Sequence, residues 1–243
     1  MVEESPTLRI CHLYARLLNI YGDRGNIIAL TQRAVWRGMA VEIKTPGLDE
    51  TIDPDWADIY FIGGGQDKQQ IAIAADLQNH ADALTLATDD GAVILAVCGG
   101  YQLLGHYYRP HQGDELKGIS LIDAYTVAAD RRMIGNVTVQ LENGSTLVGF
   151  ENHSGKTFLG SDLKPLGKVI KGNGNNGDDK LEGAHYKNIY GTYLHGSLLP
   201  KNPLFADQLI SQALARRCGQ IKLNPLDDNA ELIAHKRALS LKA

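Results

Sequence analysis

The sequence lacks an excess of positive charge and lacks a long apolar run. Lys and Arg total 24 against 28 Asp and Glu, which gives a formal net charge of −4 at pH 7 and argues against a nucleic-acid partner bound by a basic face. No segment approaches the roughly 18 to 20 apolar residues that a membrane span requires. The acidic, polar start MVEESPTLRI does not have the pattern of a secretory signal, so we expect a cytoplasmic location and no membrane insertion.

Cysteine is scarce, and the chain has no nucleotide-binding pattern. The three cysteines, Cys11, Cys98 and Cys218, are odd in number and far apart, which excludes a disulfide framework and a CxxC metal site. The phosphate-loop pattern GxxxxGK(S/T) is absent as well. We therefore expect neither a metal nor a nucleotide cofactor in this chain.

What the sequence does contain is enough apolar material for a sizeable core. The chain has 243 residues, of which 44% are hydrophobic and 21% charged, close to an ordinary globular protein. It contains no internal repeat and no linker rich in Pro or Ser. We therefore predict a single domain over residues 1–243.

The first half alternates short apolar runs with helical patterns. Strands are predicted over 8–14, 41–44, 57–62 and 92–97. Helices are predicted from Asp23, as an N-cap, to Val35, over 67–89 with a break near His80, and over 101–108. The run AVILAV at 92–97 is apolar at every position, which is typical of a parallel strand covered on both faces. The pattern predicts an α/β fold with an open, mostly parallel sheet and helices on both faces.

The second half is richer in strands. These are predicted over 119–126, 136–141, 146–151, 167–170 and 189–194, and two helices over 203–217 and 227–241 close the chain. Between them, residues 171–183 (KGNGNNGDDKLEG) are rich in Gly, Asn and Asp. That composition favours a surface loop.

The sharpest chemical feature is a nucleophile at the junction of a strand and a helix. Cys98 ends the AVILAV run and has small residues, Ala96 and Gly100, two positions to either side. This is the pattern of a nucleophile elbow, in which a strained turn presents the nucleophile and leaves room only for small neighbours. The amides of the following helix can stabilise a thiolate and an oxyanion. The alternative is a buried cysteine that only packs.

Two further features can complete a site with Cys98. A triglycine at 63–65 follows the strand ADIYFI, at the edge where ligands of open α/β sheets bind, and its amides can form part of an oxyanion hole. It is equally consistent with an ordinary turn. Among the eight histidines, His195 follows a predicted strand and can reach the same edge as the general base. His153 is the rival candidate.

Taken together, four runs resemble a known family. FIGGG, VCGGYQLLG, GFENHSG and GTYLHG are similar to class I glutamine amidotransferases of the cobyric acid synthase-like type. The runs LNIYGDRGNIIALTQRA, KGNGNNGDDKLEGAHYKN and TYLHGSLLPKNP resemble, more narrowly, free-standing glutaminase subunits that act in lipid II amidation. The ATP-binding domain that is fused to the glutaminase in cobyric acid enzymes has no counterpart in this sequence.

The resemblance implies a set of site residues. It makes Cys98 the nucleophile that attacks the glutamine carboxamide and His195 its proton-transfer partner. It makes Arg132, with Arg131 as the neighbouring alternative, the anchor of the substrate α-carboxylate, a role that suits a guanidinium. The remaining positions that it implicates, as oxyanion amides or as neighbours of the glutamine, are Gly64, Gly99, Gln102, Asn152 and His153.

One position departs from the wider class. Many class I members place a glutamate two residues after the catalytic histidine, where this chain has Ser197. The cobyric acid-like branch commonly lacks this acid. A carboxylate normally fixes the tautomer of a catalytic histidine. The sequence therefore predicts a Cys/His dyad whose histidine is oriented by some other group or by a docked partner.

The resemblance also implies a reaction and a partner. The chain is expected to hydrolyse L-glutamine through a cysteine thioester and to pass ammonia to a MurT-like Mur-ligase subunit in a heterodimer. That partner would use ATP and Mg²⁺ to amidate the D-glutamate α-carboxyl of lipid II to D-isoglutamine. Two alternatives stay open at this point: a glutaminase subunit for another acceptor synthase, and a non-catalytic glutamine-binding regulatory relative.

Overall fold

The computed structural model describes residues 6–19, 23–65 and 67–242, with the backbone alone at 67 and 68. Residues 1–5, which begin the segment examined for a secretory signal, lie outside the described residues. None of the helices in the described ranges has both the length and the apolar character needed to cross a lipid bilayer.

The chain order alternates strands and helices as predicted in the first half and is dominated by strands in the second. A short 3₁₀ turn at Leu199–Lys201 precedes the penultimate helix. The strands and helices are β1 Thr7–Leu13, α1 Arg24–Val35, β2 Ala40–Lys44, β3 Ile59–Ile62, α2 Asp67–Gln78, α3 Ala81–Asp89, β4 Val93–Val97, α4 Gly99–Leu104, β5 Tyr107–Arg109, β6 Leu116–Lys117, β7 Ala124–Gln140, β8 Thr146–Leu159, β9 Gly167–Lys171, β10 Leu181–Glu182, β11 Ala184–Tyr186, β12 Ile189–Thr192, α5 Pro203–Cys218 and α6 Asn229–Ser240.

The main sheet confirms the predicted open, mostly parallel sheet. Its order is β11-β12-β4-β3-β1-β2, and every neighbouring pair is parallel except β11 with β12. Along β4, Val93 and Leu95 enter a core with α1 and α5, whereas Ile94 and Ala96 enter a second core with α2, α3 and α4. Both faces are therefore covered, which explains why this strand is apolar at every position.

A second, mostly antiparallel sheet forms where short strands were predicted. Its order is β10-β9-β7-β5-β6, with β8 paired to β7. The predicted strands 136–141 and 146–151 are the ends of β7 and β8 nearest their connecting turn, and the predicted strand 119–126 begins only at Ala124. The rest of β7 is polar and exposed around Arg131, so it carries no alternating apolar signal. It pairs with β8 across a register shift between Ala128 and Met133.

Two further predictions are corrected by the structure. The helix expected over 101–108 begins at Gly99 and ends at Leu104, because Gly105 adopts an extended conformation and β5 follows. The loop 171–183 does not lie on the surface throughout. Asn175 is fully buried, and its carboxamide exchanges two 2.9 Å hydrogen bonds with the backbone of Gly183. Asparagine suits turns because it bonds nearby backbone, and here those bonds point inward.

A buried arginine ties the first helix to the last two. Arg33 of α1 is 3% exposed. Its guanidinium donates two hydrogen bonds to Asp207 of α5, at 2.7 and 2.8 Å, and two to Asp228, at 2.6 and 3.0 Å. Asp228 directly precedes α6, a helix with no buried residue of its own. This ion pair therefore helps to position the start of α6, while His235 within the helix hydrogen bonds to Thr146 and to the Lys201 carbonyl.

We expect Arg33→Ala to lower the free energy of unfolding by about 3–5 kcal/mol, because Asp228 loses its counter-charge and Asp207 keeps only its ion pair with Arg37. Urea unfolding followed by circular dichroism measures this change. Arg237→Ala, at an exposed position of α6, is the control and should stay within about 0.5 kcal/mol of the wild type. Equal stabilities for the two variants would contradict this role of Arg33.

Candidate active site

Cys98 lies in the strained turn that the elbow pattern predicts. It joins β4 to α4 with φ 51° and ψ −107°, a left-handed conformation that non-glycine residues rarely adopt. A Cβ atom at Gly100 would lie 2.6 Å from the carbonyl oxygen of Ile62, so this position admits only glycine. The turn places the thiol at the carboxyl end of β4, where ligands of open α/β sheets bind.

His195 reaches the thiol from the neighbouring strand. β12 lies beside β4 and runs parallel to it, so the residues after both strands meet at one edge. The backbone of His195 exchanges hydrogen bonds of 2.7 and 3.3 Å with Phe150 of β8, which holds the residue in place. A Cβ atom built on Gly64 would lie 2.9 Å from Cε1 of His195 and 3.3 Å from Cβ of Cys98, so the two side chains are neighbours. The structure therefore brings together the two residues predicted as nucleophile and base.

A third residue, Asp23, completes the site. Its carboxylate is fully buried, and Oδ1 lies 3.4 Å from Nδ1 of His195. The sequence predicts Asp23 as a helix N-cap, but its side chain makes no capping hydrogen bond to α1. It faces His195 instead. The predicted dyad is therefore corrected to a Cys98–His195–Asp23 arrangement, in which the acid comes from the start of the chain.

The turn after His195 explains why the acid is not at position 197. A Cβ atom on Gly25 would lie 2.1 Å from Oγ of Ser197, so the start of α1 packs directly against this turn. The Leu199 amide donates to Asn26 Oδ1 at 2.9 Å and fixes the same contact. A glutamate side chain at 197 would meet α1, and α1 supplies the carboxylate from Asp23.

Gly64 lies between the three side chains, which requires a correction to its expected role. A Cβ atom at Gly64 would be 2.9 Å from Cε1 of His195 and 3.3 Å from both Cβ of Cys98 and Oδ2 of Asp23. Its N–H donates to Asp23 Oδ2 at 2.7 Å and so is not free to face an oxyanion. Gly64 therefore anchors the acid. The neighbouring Gly65 amide nitrogen lies 3.2 Å from the position of a Gly99 Cβ.

The charges of the site favour a protonated histidine. Burial of the His195 ring lowers its pKa, but the charge of an ionised Cys98 and the hydrogen bonds with Asp23 and Cys98 outweigh it and raise the pKa to about 10. A protonated imidazole next to a cysteine favours nucleophilic reactivity of its sulfur.

Two of the predicted substrate residues on β7 and β8, Arg132 and Asn152, contact each other, whereas buried His153 points to the opposite face of β8 from Asn152. Arg132 donates from Nε to Oδ1 of Asn152 at 2.5 Å. Burial, and to a lesser extent the charge of Arg132, lowers the pKa of His153. The assignment of Arg132, rather than Arg131, as the carboxylate anchor stays a prediction, and the contact with Asn152 is consistent with it.

His153 and Gln102 are buried supports of the site. His153 is 3% exposed and stacks on Tyr193 with 3.6 Å between ring centroids. Burial lowers its pKa to about 3, so it is neutral and cannot replace His195 as the base. Gln102 accepts a hydrogen bond from Gln70 at 2.9 Å and donates one to the Tyr193 hydroxyl at 3.1 Å. These two hydrogen bonds brace the elbow helix, and contact between Gln102 and the substrate stays a prediction.

Glu182 fixes the backbone that leads to His195. Its Oε1 accepts the Tyr193 N–H at 2.7 Å and the Thr192 hydroxyl at 3.0 Å, and the Thr192 oxygen accepts the Leu194 N–H at 3.0 Å. The carboxyl group is 1% exposed, and burial raises its pKa to about 7. Sequence reasoning missed both Glu182 and Asp23, because each stands in a segment whose composition suggested a turn or a cap.

Among the described residues, no group of three or more His, Cys, Asp or Glu side chains is arranged to hold a metal ion. The polar groups around Cys98 can bind, orient and move protons on an organic substrate. They suit acyl transfer from a carboxamide to a thiol.

Comparison with known proteins agrees with this geometry. A family profile for the CobB/CobQ-like glutamine amidotransferase domain matches residues 9–203. The Staphylococcus aureus protein named lipid II isoglutaminyl synthase (glutamine-hydrolyzing) subunit GatD is 42% identical over 227 residues, which are 93% of each chain. The GatD subunit of Streptococcus pneumoniae is 42% identical over 91% of this chain and 86% of its own. A cobyric acid synthase of Listeria monocytogenes is 28% identical over 66% of this chain and 32% of the synthase.

Solved structures show the same fold. A crystal structure of a glutamine amidotransferase aligns with a TM-score of 0.57 and 11% identity over 84% of this chain and 98% of its own. The glutaminase domain of Trypanosoma brucei CTPS with bound acivicin aligns with a TM-score of 0.54 and 12% identity over 90% of this chain and 96% of its own.

The fold and the site define a class I glutamine amidotransferase. Within that class, the chain belongs to the CobB/CobQ-like glutamine amidotransferase family. The family resemblance seen in FIGGG, VCGGYQLLG and GTYLHG is confirmed.

We expect Asp23→Asn to lower kcat for glutamine hydrolysis by about 10²-fold or more while leaving KM nearly unchanged, because the histidine loses its charged partner. Steady-state glutamate release measures both constants. Asp82→Asn, at an exposed position in the first turn of α3, is the control. A kcat for Asp23→Asn equal to that of the control would show that Asp23 has no part in the reaction.

Glu182 should make stability depend on pH. Because its folded pKa is raised to about 7 from an ordinary value of 4.5, the folded state holds a proton that the unfolded state releases. Stability therefore falls as pH rises from about 4.5 to 7, by up to about 3 kcal/mol from this group. Glu182→Gln removes that contribution. Urea unfolding across this range should give a flatter profile for the variant, and parallel profiles would contradict the assignment.

Proposed function

We propose that this chain is the glutaminase subunit of a lipid II isoglutaminyl synthase. The observation that carries the proposal is the meeting of Cys98, His195 and Asp23 at the carboxyl edge of the sheet. The acceptor is proposed from the two GatD relatives, which match this chain over more than nine-tenths of its length. The wider family alone does not define an acceptor.

The proposed reaction proceeds through a covalent acyl-enzyme. The Cys98 thiolate adds to the side-chain carbonyl carbon of L-glutamine, and backbone amides at Gly99 and Gly65 face the oxyanion. The His195 imidazolium donates its proton to the leaving nitrogen, the C–N bond breaks and ammonia departs. Water, deprotonated by neutral His195, then attacks the γ-glutamyl thioester, which releases glutamate and restores the thiolate. Asp23 keeps the imidazole oriented through both steps.

The ammonia requires a second subunit. Free ammonia is largely protonated in neutral water and then is no longer a nucleophile, so a docked acceptor must receive it. We assign this role to a MurT-like Mur-ligase subunit in a heterodimer, with ATP and Mg²⁺ bound by the partner to activate the D-glutamate α-carboxyl of lipid II. This chain has no phosphate-loop pattern of its own. A free catalytic thiol also requires a reducing compartment, which favours the cytoplasm.

The test reconstitutes the pair and separates the two half-reactions. The wild-type complex should release glutamate from L-glutamine and amidate lipid II with ATP and Mg²⁺. Cys98→Ala should lose both with glutamine as the nitrogen source, yet amidate lipid II when ammonium salt is supplied. Its circular dichroism spectrum should match that of the wild type.

The other outcomes identify the alternatives. Glutamate release without lipid II amidation, together with co-purification of a different synthase, would assign the chain to another acceptor. No glutamate release with any partner, and no labelling of Cys98 by an electrophilic glutamine analogue, would mean that the chain binds glutamine without turning it over.

For Arg132→Ala we expect KM for glutamine to rise about 10-fold or more, because a charge-assisted contact contributes about 1.5–3 kcal/mol. The adjacent Arg131→Ala is the matched control and should leave KM unchanged. Initial-rate measurements over a range of glutamine concentrations distinguish the two. A larger KM effect at Arg131 would exchange their roles.

A further inference from the structure

A cavity opens at the carboxyl edge of the main sheet, on the side of β1 and β2. It has a volume of about 470 Å³ and lies between α1 and the residues at the carboxyl ends of β1 and β2. In the sheet order, β3 separates β1 from β4 and its elbow. The proposed glutaminase reaction uses none of the side chains that line this cavity.

Two buried polar atoms in its lining have no hydrogen-bond partner among the described residues. They are Nε2 of His12, a residue that is 4% exposed, and Oγ1 of Thr31. Both residues line the cavity. Burial of a polar group without a partner is costly, so two such atoms at one cavity indicate a place where a ligand supplies the missing hydrogen bonds.

The charge at the cavity is positive in a chain that is negative overall. Arg16 and Arg24 line it, and neither guanidinium has an ion pair within the described ranges. The described lining contains no Asp or Glu. The carboxylate of Asp23 does act on His12, but it is already bound by the Gly64 N–H and faces His195. The charged side chains of the lining are therefore the guanidinium groups of Arg16 and Arg24, which are exposed to solvent.

We propose that this cavity binds the phosphate or carboxylate group of a small organic anion, held by Arg16, Arg24 and the Thr31 hydroxyl. Guanidinium groups suit both oxyanions, since their fork donates two parallel hydrogen bonds. His12 donates from Nε2 in the tautomer that carries the proton there. The apolar part of the lining, which includes Ile28 and Ile43, packs against the carbon skeleton of the ligand. This binding site is additional to the glutamine site and does not depend on the proposed acceptor.

The test uses three probes on the full chain: inorganic phosphate, pyrophosphate and L-glutamate. Isothermal titration and ¹H–¹⁵N shift mapping should show saturable binding of at least one probe, with shifts at Thr31. Arg16→Gln should weaken that binding by about tenfold or more, the size expected for a charge-assisted contact. Thr31→Val, which preserves shape, should weaken it less. The phosphate and glutamate arms distinguish a phosphate ligand from a carboxylate ligand.

The controls distinguish anion binding in this cavity from nonspecific attraction to surface charge and from binding at the glutamine site. Arg237→Gln, on the exposed face of α6, should bind as the wild type does. If L-glutamate binding is lost in Arg132→Ala but kept in Arg16→Gln, the glutamate binds at the active site. That result would count against a carboxylate ligand in this cavity. Absence of saturable binding for all three probes, or equal affinity in wild type and Arg16→Gln, would overturn the proposal. Arg16→Gln should keep its glutaminase activity. Weaker anion binding in this variant would therefore concern the cavity alone and would leave the proposed glutaminase function untouched.

Discussion

The buried carboxylate of Asp23 is the interaction on which the site depends. One oxygen accepts the Gly64 N–H at 2.7 Å and the other faces Nδ1 of His195 at 3.4 Å. It thus links the loop after β3, the start of α1 and the residue after β12. A fully buried carboxylate is costly unless it is paired, and here its partners are a backbone amide and the catalytic imidazole. The acid that fixes the histidine therefore also fixes the glycine loop beside the thiol.

Packing and buried hydrogen bonds hold Cys98 and the segment before His195 in place. Cys98 adopts a left-handed conformation that costs on the order of 1–3 kcal/mol, and the packed cores on both faces of β4 hold it there. Behind the thiol, Tyr193 stacks on His153 and accepts a hydrogen bond from Gln102. Glu182 fixes the backbone amide of Tyr193. The buried polar side chains of Tyr193, His153, Gln102 and Glu182 thus support the backbone that positions the thiol and the imidazole.

Much of the fold and the two reacting groups could be predicted from local pattern. β4 is apolar throughout and small residues surround Cys98, so elbow and parallel sheet follow from the sequence alone. Asp23 could not be assigned in this way. An aspartate before a helix is most often a cap, and only the long-range contact between α1 and the turn at Ser197 turns its carboxylate toward His195. The buried hydrogen bonds of Asn175 could not be predicted either. A segment rich in Gly, Asn and Asp predicts a turn, but it does not show whether the side chains of that turn face the core or the solvent.

The most direct test of this account is the protonation state of the His195 ring, read by ¹⁵N NMR and assigned with a His195→Gln variant. If thiolate, imidazole and Asp23 carboxylate form one charged unit, both ring nitrogens should carry protons near neutral pH. The pKa should lie well above its ordinary value, toward about 10. It should fall in Cys98→Ala, which removes the thiolate charge. A ring that is neutral at that pH, with a titration unaffected by Cys98→Ala, would contradict the account.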